Sequence, residues 1–515
     1  MGQYVITLLF IFLTSISLAK LPSVSVHDIP GIEGASLEVR FTNPKCIVHD
    51  YEEEVFSNDG ALLLAKPEGA YCAGSLDFSN SFTWEDSPRQ KLIEWVKDPQ
   101  TKEIFFAFQT ITDGGVLGAI CEEIKSRNIK VTFVLSRNRN YLEDGSKEPL
   151  IDLTKAPVIE TESTQSKYDR VIRKLTSCGE TPGNLQPVGI LRGHTGSSEG
   201  NSIGWAHNKF FVVNPNDSAK IKFATGSGNL TSAGVATNHE NWLFFDNIPQ
   251  NTYLAQSVQC MRKMQIDDKA HFSKSNFIKM NEECLKNIDP SFKKAQGIES
   301  FYIPGDGKRA IDQYLIPAFS ESKKITVATH LLGFPRLFVR GMTCAASKKP
   351  SSSCYKKNGS LPGFKKTIGK SEVRLITDDD IHWLMVGQYD ENGKVGYNDL
   401  WEAGNAEEAE RGGAKLKFVQ TSHHGPFKQL HHSKLIVFEK NKTEAVWTGA
   451  GNLTMPAMYT NFENYYYITI PTVVEAYKMQ LDGMWSELAT AKESMPKLDV
   501  VPLKDPVVKE EPAAE

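Results

Sequence analysis

The chain has 515 residues, 40% hydrophobic and 23% charged, with a formal charge of −4. That length suits two ordinary domains or one large double domain, and the balance is that of a globular protein. The mild acidity gives no global sign of a polyanionic partner, although local basic surface stays compatible with it.

The first twenty residues read MGQYVITLLFIFLTSISLAK, an apolar run ending in Ser17-Leu18-Ala19. This small-x-small ending reads residues 1–19 as a cleaved signal peptide, and so a secreted or periplasmic protein. The missing Lys or Arg before the apolar run leaves an uncleaved anchor as the alternative. Residues 20–60 read as an N-terminal extension. Next, 87–110 (SPRQKLIEWVKDPQTKEIFFAFQT) gives a helical period, a polar break and a β-rich run. The stretch DGGVLGAICEEIKSRNIKVTFVLS then reads as helix followed by strand.

The same order returns at 307–330 (GKRAIDQYLIPAFSESKKITVATH), where Pro317 is expected to shorten or kink the helix, and SEVRLITD is a later strand. Offsets hold steady: 221 residues from Lys102 to Lys323, 225 from His207 to His432, 223 from Asn229 to Asn452 and from Glu240 to Glu463. Two copies of one α/β unit follow, at about 60–250 and 295–490. The Pro-, Lys- and Glu-rich residues 491–515 read as a disordered tail. The even count of eight cysteines fits disulfides in an exported protein, with Cys344 and Cys354 the expected local pair. No Cys-x-x-Cys spacing supports zinc.

The chemistry sits in the repeated part. One copy runs HNKFFVV…GSGNLTSAGVATNHENW and the other HSKLIVF…GAGNLTMPAMYTNFENY. Residues i and i+2 of a strand share a face, so His207 points with Lys209 and His432 with Lys434. Lysine brings positive charge, and histidine brings a nucleophile or a proton carrier. Gly226 and Gly449, with Ser227, read as letting backbone approach an oxyanion. Asn229 and Asn452 are amide donors for nonbridging oxygens, and Glu240 and Glu463 are partners for His rings. This set suits a phosphodiester. One His attacks phosphorus and the other protonates the leaving oxygen, then activates water. Two Lys supply the charge, so no metal or other cofactor is expected.

The doubled His-x-Lys and Gly-Ser-x-Asn pattern resembles the phospholipase D superfamily over about 60–490. The resemblance implies two tandem α/β/α sandwich repeats packed about a pseudo-twofold axis, with both His facing one phosphate. It also implies His207 as nucleophile and His432 as acid, an assignment the symmetry makes reversible. Two departures stand out: the Asp often found five residues after the Lys is Asn214 or Glu439 here, and Ser227 is matched by Ala450.

Three substrate readings follow. A phospholipid headgroup at a membrane surface comes first, with the FPRLF stretch at 334–338 as a candidate apolar rim. Nucleic acid is the alternative, with Arg137, Arg139, Lys348, Lys349, Lys356 and Lys357 as candidate groove charges. A non-catalytic phosphate-binding module is the third, and it predicts a damaged His or Lys that the sequence does not show. The chain is expected to act as a monomer without an obligate protein partner. The paired His423/His424 and His431/His432 do not have helical metal-ligand spacing. The loop at 191–205, with Arg192 and His194, is a candidate rim, and the TDDD of 377–380 reads as a solvated strand end, with cation binding as the alternative.

Overall fold

The computed structural model describes residues 24–46, 49–50, 71–72, 76–77, 86–137, 175, 178, 185–191, 204–267, 274–333, 337–358, 361–386, 400–421, 429–440 and 443–495. The expected signal peptide, most of the expected tail, Arg139, Arg192, His194, His423 and His424 lie outside these residues.

The first unit is an eight-stranded mixed sheet. Its strands in chain order are β1 (Val24–Asp28), β2 (Ser36–Thr42), β3 (Glu103–Phe108), β4 (Lys130–Arg137), β5 (Leu185–Leu191), β6 (Lys209–Val213), β7 (Lys220–Gly226) and β8 (Glu240–Pro249). They lie side by side as β1-β2-β8-β7-β6-β3-β4-β5. The expected helix–strand pairs form. Helix α1 (Pro88–Lys97) starts at Ser87, whose hydroxyl accepts from the Gln90 amide, with Pro88 in its first turn. Helix α2 (Gly114–Arg127) is capped by Asp113 and ends at Asn128 in the left-handed conformation. It crosses from β3 to the parallel strand β4.

The second unit repeats the plan with β9 (Ile298–Ile303), β10 (Ser322–Thr329), β11 (Glu372–Asp378), β12 (Lys415–Val419), β13 (Lys434–Lys440), β14 (Ala445–Gly449), β15 (Glu463–Ile468) and β16 (Ala489–Ala491). Their order is β9-β15-β14-β13-β10-β11-β12-β16. Strands β8-β7-β6-β3-β4-β5 correspond one for one to β15-β14-β13-β10-β11-β12. The chain therefore folds as two α/β units of one plan in tandem. The stretch before β10 is helical, with a π turn at Ile311–Leu315 just ahead of Pro317, which suits a ring that cannot donate to the helix ladder.

One boundary shifts. Strand β2 pairs antiparallel with β8, at the sheet position that β9 takes beside β15. The first sheet therefore begins before residue 60, and Ser36–Thr42 is part of it rather than of an appended extension. Its Leu37, Val39 and Phe41 are buried, so the alternating apolar side chains place it in the core.

The two sheets share a core. Phe210, Leu243 and Phe245 of the first unit pack in one cluster with Tyr302, Leu435 and Tyr466 of the second. Reciprocal contacts tie the units together. Asn241 Nδ2 donates to Thr448 Oγ1 at 2.7 Å, and Asn464 Nδ2 donates to Thr225 Oγ1 at 2.5 Å. Ala206 bridges Phe462 as His431 bridges His239. Disulfides join Cys121–Cys178, Cys260–Cys284 and the expected Cys344–Cys354.

Candidate active site

The site forms where the starts of β6 and β13 meet the starts of β15 and β8. Each His-x-Lys pair leads into a buried strand that is antiparallel to both of its neighbours, β3 and β7 in the first unit and β10 and β14 in the second. His207 N–H donates to the Phe462 carbonyl at 3.0 Å, and His432 N–H donates to the His239 carbonyl at 3.0 Å. Each histidine is thus pinned through its backbone to the other unit.

The glutamates are also exchanged. His207 Nδ1 donates to Glu463 Oε2 at 2.8 Å, and His432 Nδ1 donates to Glu240 Oε1 at 2.7 Å. Sequence reading gave the carboxylates a ring-orienting role without saying which His each serves. In the structure each serves the His of the opposite unit. A carboxylate on Nδ1 fixes each ring, and in a neutral His207 it leaves Nε2 as the unprotonated nitrogen, with Lys209 Nζ 3.1 Å away. Asn461 Nδ2 donates to Glu463 at 3.0 Å and Asn238 Nδ2 to Glu240 at 3.2 Å, so the Asn of each Asn-x-Glu holds the carboxylate in place.

The lysines complete the ring. Lys209 Nζ donates to the His207 carbonyl at 2.8 Å and lies 3.1 Å from His207 Nε2. Lys434 Nζ donates to the His432 carbonyl at 2.8 Å. Both lysines and both glutamates are essentially sealed from solvent. Burial pulls Lys209 down to about 8 and Lys434 to about 7, partly offset by the two glutamates. Burial likewise raises Glu240 to about 7 and Glu463 to about 8 against the pull of the lysines. Burial first, then the neighbouring lysines, holds both His well below the usual imidazole range. An anion entering here would restore the charge that burial opposes.

Other expected site residues take different places. Ser227 Oγ donates to Glu240 Oε2 at 2.5 Å and accepts from Asn241 N–H at 2.9 Å, so it braces the carboxylate behind His432. The reading of Ser227 as an oxyanion contact is corrected accordingly. A side chain at Gly226 would meet the Asn241 carbonyl at 2.2 Å, and one at Gly449 the Asn464 carbonyl at 2.2 Å. Their smallness answers to the neighbouring strand, not to a ligand. Asn229 and Asn452 are half-buried, and the Oδ1 of each is buried without a partner in both units. These two amides keep hydrogen-bonding capacity that the protein does not use.

Asn214 and Glu439, the departures from the family pattern, are structural. Asn214 sits at a left-handed turn with its Oδ1 accepting from Lys102 N–H at 2.8 Å, and Glu439 pairs with Lys324 at 3.0 Å. The TDDD segment is not solvated. Asp378 and Asp379 are buried, and Asp378 accepts from His431 N–H at 2.7 Å and from Thr421 Oγ1. The carboxylates of Asp378, Asp379 and Asp380 are the one group of three among the described residues with ligand atoms close enough for a metal ion. Two of the three are engaged in bracing the loop that carries His431. Leu337 and Phe338 are core residues, which removes them from an apolar rim.

The lysines proposed for a nucleic-acid groove are placed far from the chemistry. Lys348, Lys349, Lys356 and Lys357 are exposed on the segment that leads into β11. That segment is tied to the start of β10: Lys370 N–H donates to Ser347 O at 2.9 Å, and Ser371 Oγ to Ser322 O at 2.7 Å. Lys434 pairs with Thr329 at the other end of β10. Seven residues of strand separate the two ends, about 23 Å at roughly 3.3 Å per residue.

Three histidines near the site were given no catalytic role by the sequence. His330 lies with its ring 5.5 Å from that of His432, and His239 and His431 lie 6.0 Å apart at the unit interface. None belongs to the repeat, because Gln109, Phe462 and Ala206 occupy the matching positions.

Residues 367–485 match the family model of the cardiolipin synthase, PLD-like domain. This segment holds the second His-x-Lys, Asn452 and Glu463. Over this segment the chain is similar to the PLD-like domains of that family. No curated protein sequence matches it significantly. Its structure is similar to that of phosphatidylserine synthase from Haemophilus influenzae Rd KW20, at 12% identity and TM-score 0.49, over 78% of this chain and 84% of that one. A mutant of the yeast tyrosyl-DNA phosphodiesterase is similar at 12% identity and TM-score 0.40, over 76% and 87% of the two chains. Polyphosphate kinase from Porphyromonas gingivalis is similar at 11% identity and TM-score 0.43, over 82% of this chain. The match spans 52% of that kinase, about half its length.

Proposed function

We propose that this protein is an exported phosphodiesterase that works through a covalent phosphohistidine, without a metal, and that its substrate is a phospholipid headgroup. The observation that carries the reading is the pair of exchanged His–Glu contacts, 2.8 and 2.7 Å, with a lysine beside each His. In the first step His207 Nε2 attacks phosphorus while His432, protonated once the anionic substrate is bound, gives its Nε2 proton to the leaving oxygen. Lys209 and Lys434 face the nonbridging oxygens, where charge builds in the transition state. In the second step His432 takes a proton from water, the oxygen attacks, and the phosphorus–nitrogen bond breaks. Glu463 and Glu240 hold the rings and balance the charge that forms on them.

The lipid reading is favoured over nucleic acid because four of the lysines that a nuclease groove would use stand at the far end of β10. Phosphatidylcholine vesicles, plasmid and single-stranded DNA, each incubated with the full chain in chelator, test this against His207→Ala and His432→Ala. Headgroup release that both variants abolish is the expected result. DNA nicking in its place would move the substrate to nucleic acid. Loss of all activity in chelator would overturn the metal-free mechanism.

A further inference from the structure

Thr329 is the residue of β10 that pairs with Lys434, so the next residue, His330, emerges beside the second His-x-Lys. In the first unit the register is the same: Phe108 pairs with Lys209, and the next residue is Gln109. A third imidazole therefore stands on one side of the site alone, its centroid 5.5 Å from that of His432. Other differences between the units fall on that side too. Ser227 braces Glu240 where Ala450 leaves Glu463 without such a contact, and the His432 side chain is 13% exposed against 7% for His207. The His432 half is the slightly more exposed of the two.

His330 itself is half-buried, and its Nδ1 is buried with no protein partner. Burial, with His432 and Lys434 close by, pushes it down to about 3, so the ring is neutral and carries one donor and one acceptor nitrogen. A neutral imidazole with an unused nitrogen suits an O–H group better than it suits a phosphate oxygen, which the lysines already serve.

We propose that His330 binds the acceptor oxygen, of water or of an alcohol, at the place beside His432 from which the leaving oxygen departs. This rests on the phosphohistidine reading above. The acceptor oxygen attacks phosphorus, the bond from phosphorus to His207 Nε2 breaks with its electron pair returning to the ring, and the acceptor proton passes to His432 Nε2. By microscopic reversibility the entering and leaving oxygens use the same place, so one residue there governs which acceptor succeeds.

The test is acceptor partitioning. The full chain is given bis(p-nitrophenyl) phosphate, and separately phosphatidylcholine vesicles, in water with added ethanol. Products of hydrolysis and of transfer to ethanol are counted, and protein-bound phosphate is trapped by quenching at alkaline pH, where the phosphorus–nitrogen bond survives. For His330→Ala the ratio of hydrolysis to transfer is expected to move at least threefold, with phosphoenzyme accumulating. His330→Gln, which copies Gln109, restores part of the ratio and guards against a fold defect. Slower turnover with an unchanged ratio in both variants would overturn the assignment while leaving the mechanism standing. A wild-type chain that carries no phosphate and transfers none to ethanol would overturn the mechanism, and the proposal with it.

Discussion

Replacing Glu463 by Gln, and separately Glu240 by Gln, separates the roles of the two histidines. Glu463 is sealed from solvent, 2.8 Å from His207 Nδ1, and held by Asn461, so Gln fits the space and keeps an acceptor oxygen. What it loses is the charge that balances the imidazolium. A hydrogen bond to a charged group contributes about 1.5–3 kcal/mol net. Two unit charges ~4 Å apart attract by about 4 kcal/mol at an effective dielectric of 20. A loss of about 2–4 kcal/mol corresponds to about 30- to 1000-fold in rate. The assay is the burst of nitrophenolate from bis(p-nitrophenyl) phosphate in a rapid-mixing experiment. Nitrophenolate leaves without a proton, so a weakened acid is tolerated in this step and a weakened nucleophile is not. Glu463→Gln should slow the burst by the full factor, whereas Glu240→Gln should slow it less than tenfold and act on the following steady state. The opposite pattern would make His432 the nucleophile. A loss under threefold in both variants would refute the claim that the exchanged carboxylates drive the chemistry.

Three further outcomes are expected. Ser227→Ala removes a 2.5 Å hydrogen bond to Glu240 and makes the first unit resemble the second at Ala450; losing a bond to a carboxylate at about 1.5–3 kcal/mol predicts a fall in turnover of about tenfold or more, read in steady-state kinetics. On pH, Lys434 near 7 and Lys209 near 8 in the free enzyme lose their protons as pH rises, so kcat/KM for an anionic diester should fall above neutrality. The acid limb should lie well below 6.5, because burial and the lysines keep His207 neutral, and a pH–rate profile checks both limbs. Changing Lys348, Lys349, Lys356 and Lys357 together to Ala should leave diester turnover within about twofold, since exposed charges beyond a Debye length of ~8 Å are screened.

The repeat was legible because it is written in spacing. The equal offsets of His207, Asn229 and Glu240 from their second copies set two strands and a turn into each unit, and strand alternation placed each Lys with its His. Strand β2 was missed because its partner, β8, lies some two hundred residues away, and nothing local in Ser36–Thr42 reports a sheet edge waiting to be covered. Ser227 was misassigned for a related reason. A hydroxyl next to a glycine after a strand looks like a ligand contact, but its direction is set by β8, which brings Glu240 within 2.5 Å. His330, His239 and His431 lay outside the comparison of copies, because a residue that distinguishes two repeats leaves no trace in what they share.

The exchange of carboxylates bears on why the two units are one chain. If each Glu served the His of its own unit, a single unit would hold a complete half-site, and two free copies could assemble one enzyme. Here His207 without Glu463, or His432 without Glu240, is a buried imidazole with no acceptor for Nδ1–H. The backbone bridges run the same way, from His207 to Phe462 and from His432 to His239. Neither His-x-Lys is organised until both sheets are in place, so folding of the shared core and assembly of the site are one event. Covalent tandem linkage also frees the copies to diverge. A symmetric pair of chains must carry the same residue after β3 and β10, whereas this chain carries Gln109 in one place and His330 in the other. Once the halves differ, the two histidines need not share a task, and one side can hold the phosphohistidine while the slightly more exposed side serves the oxygens that enter and leave.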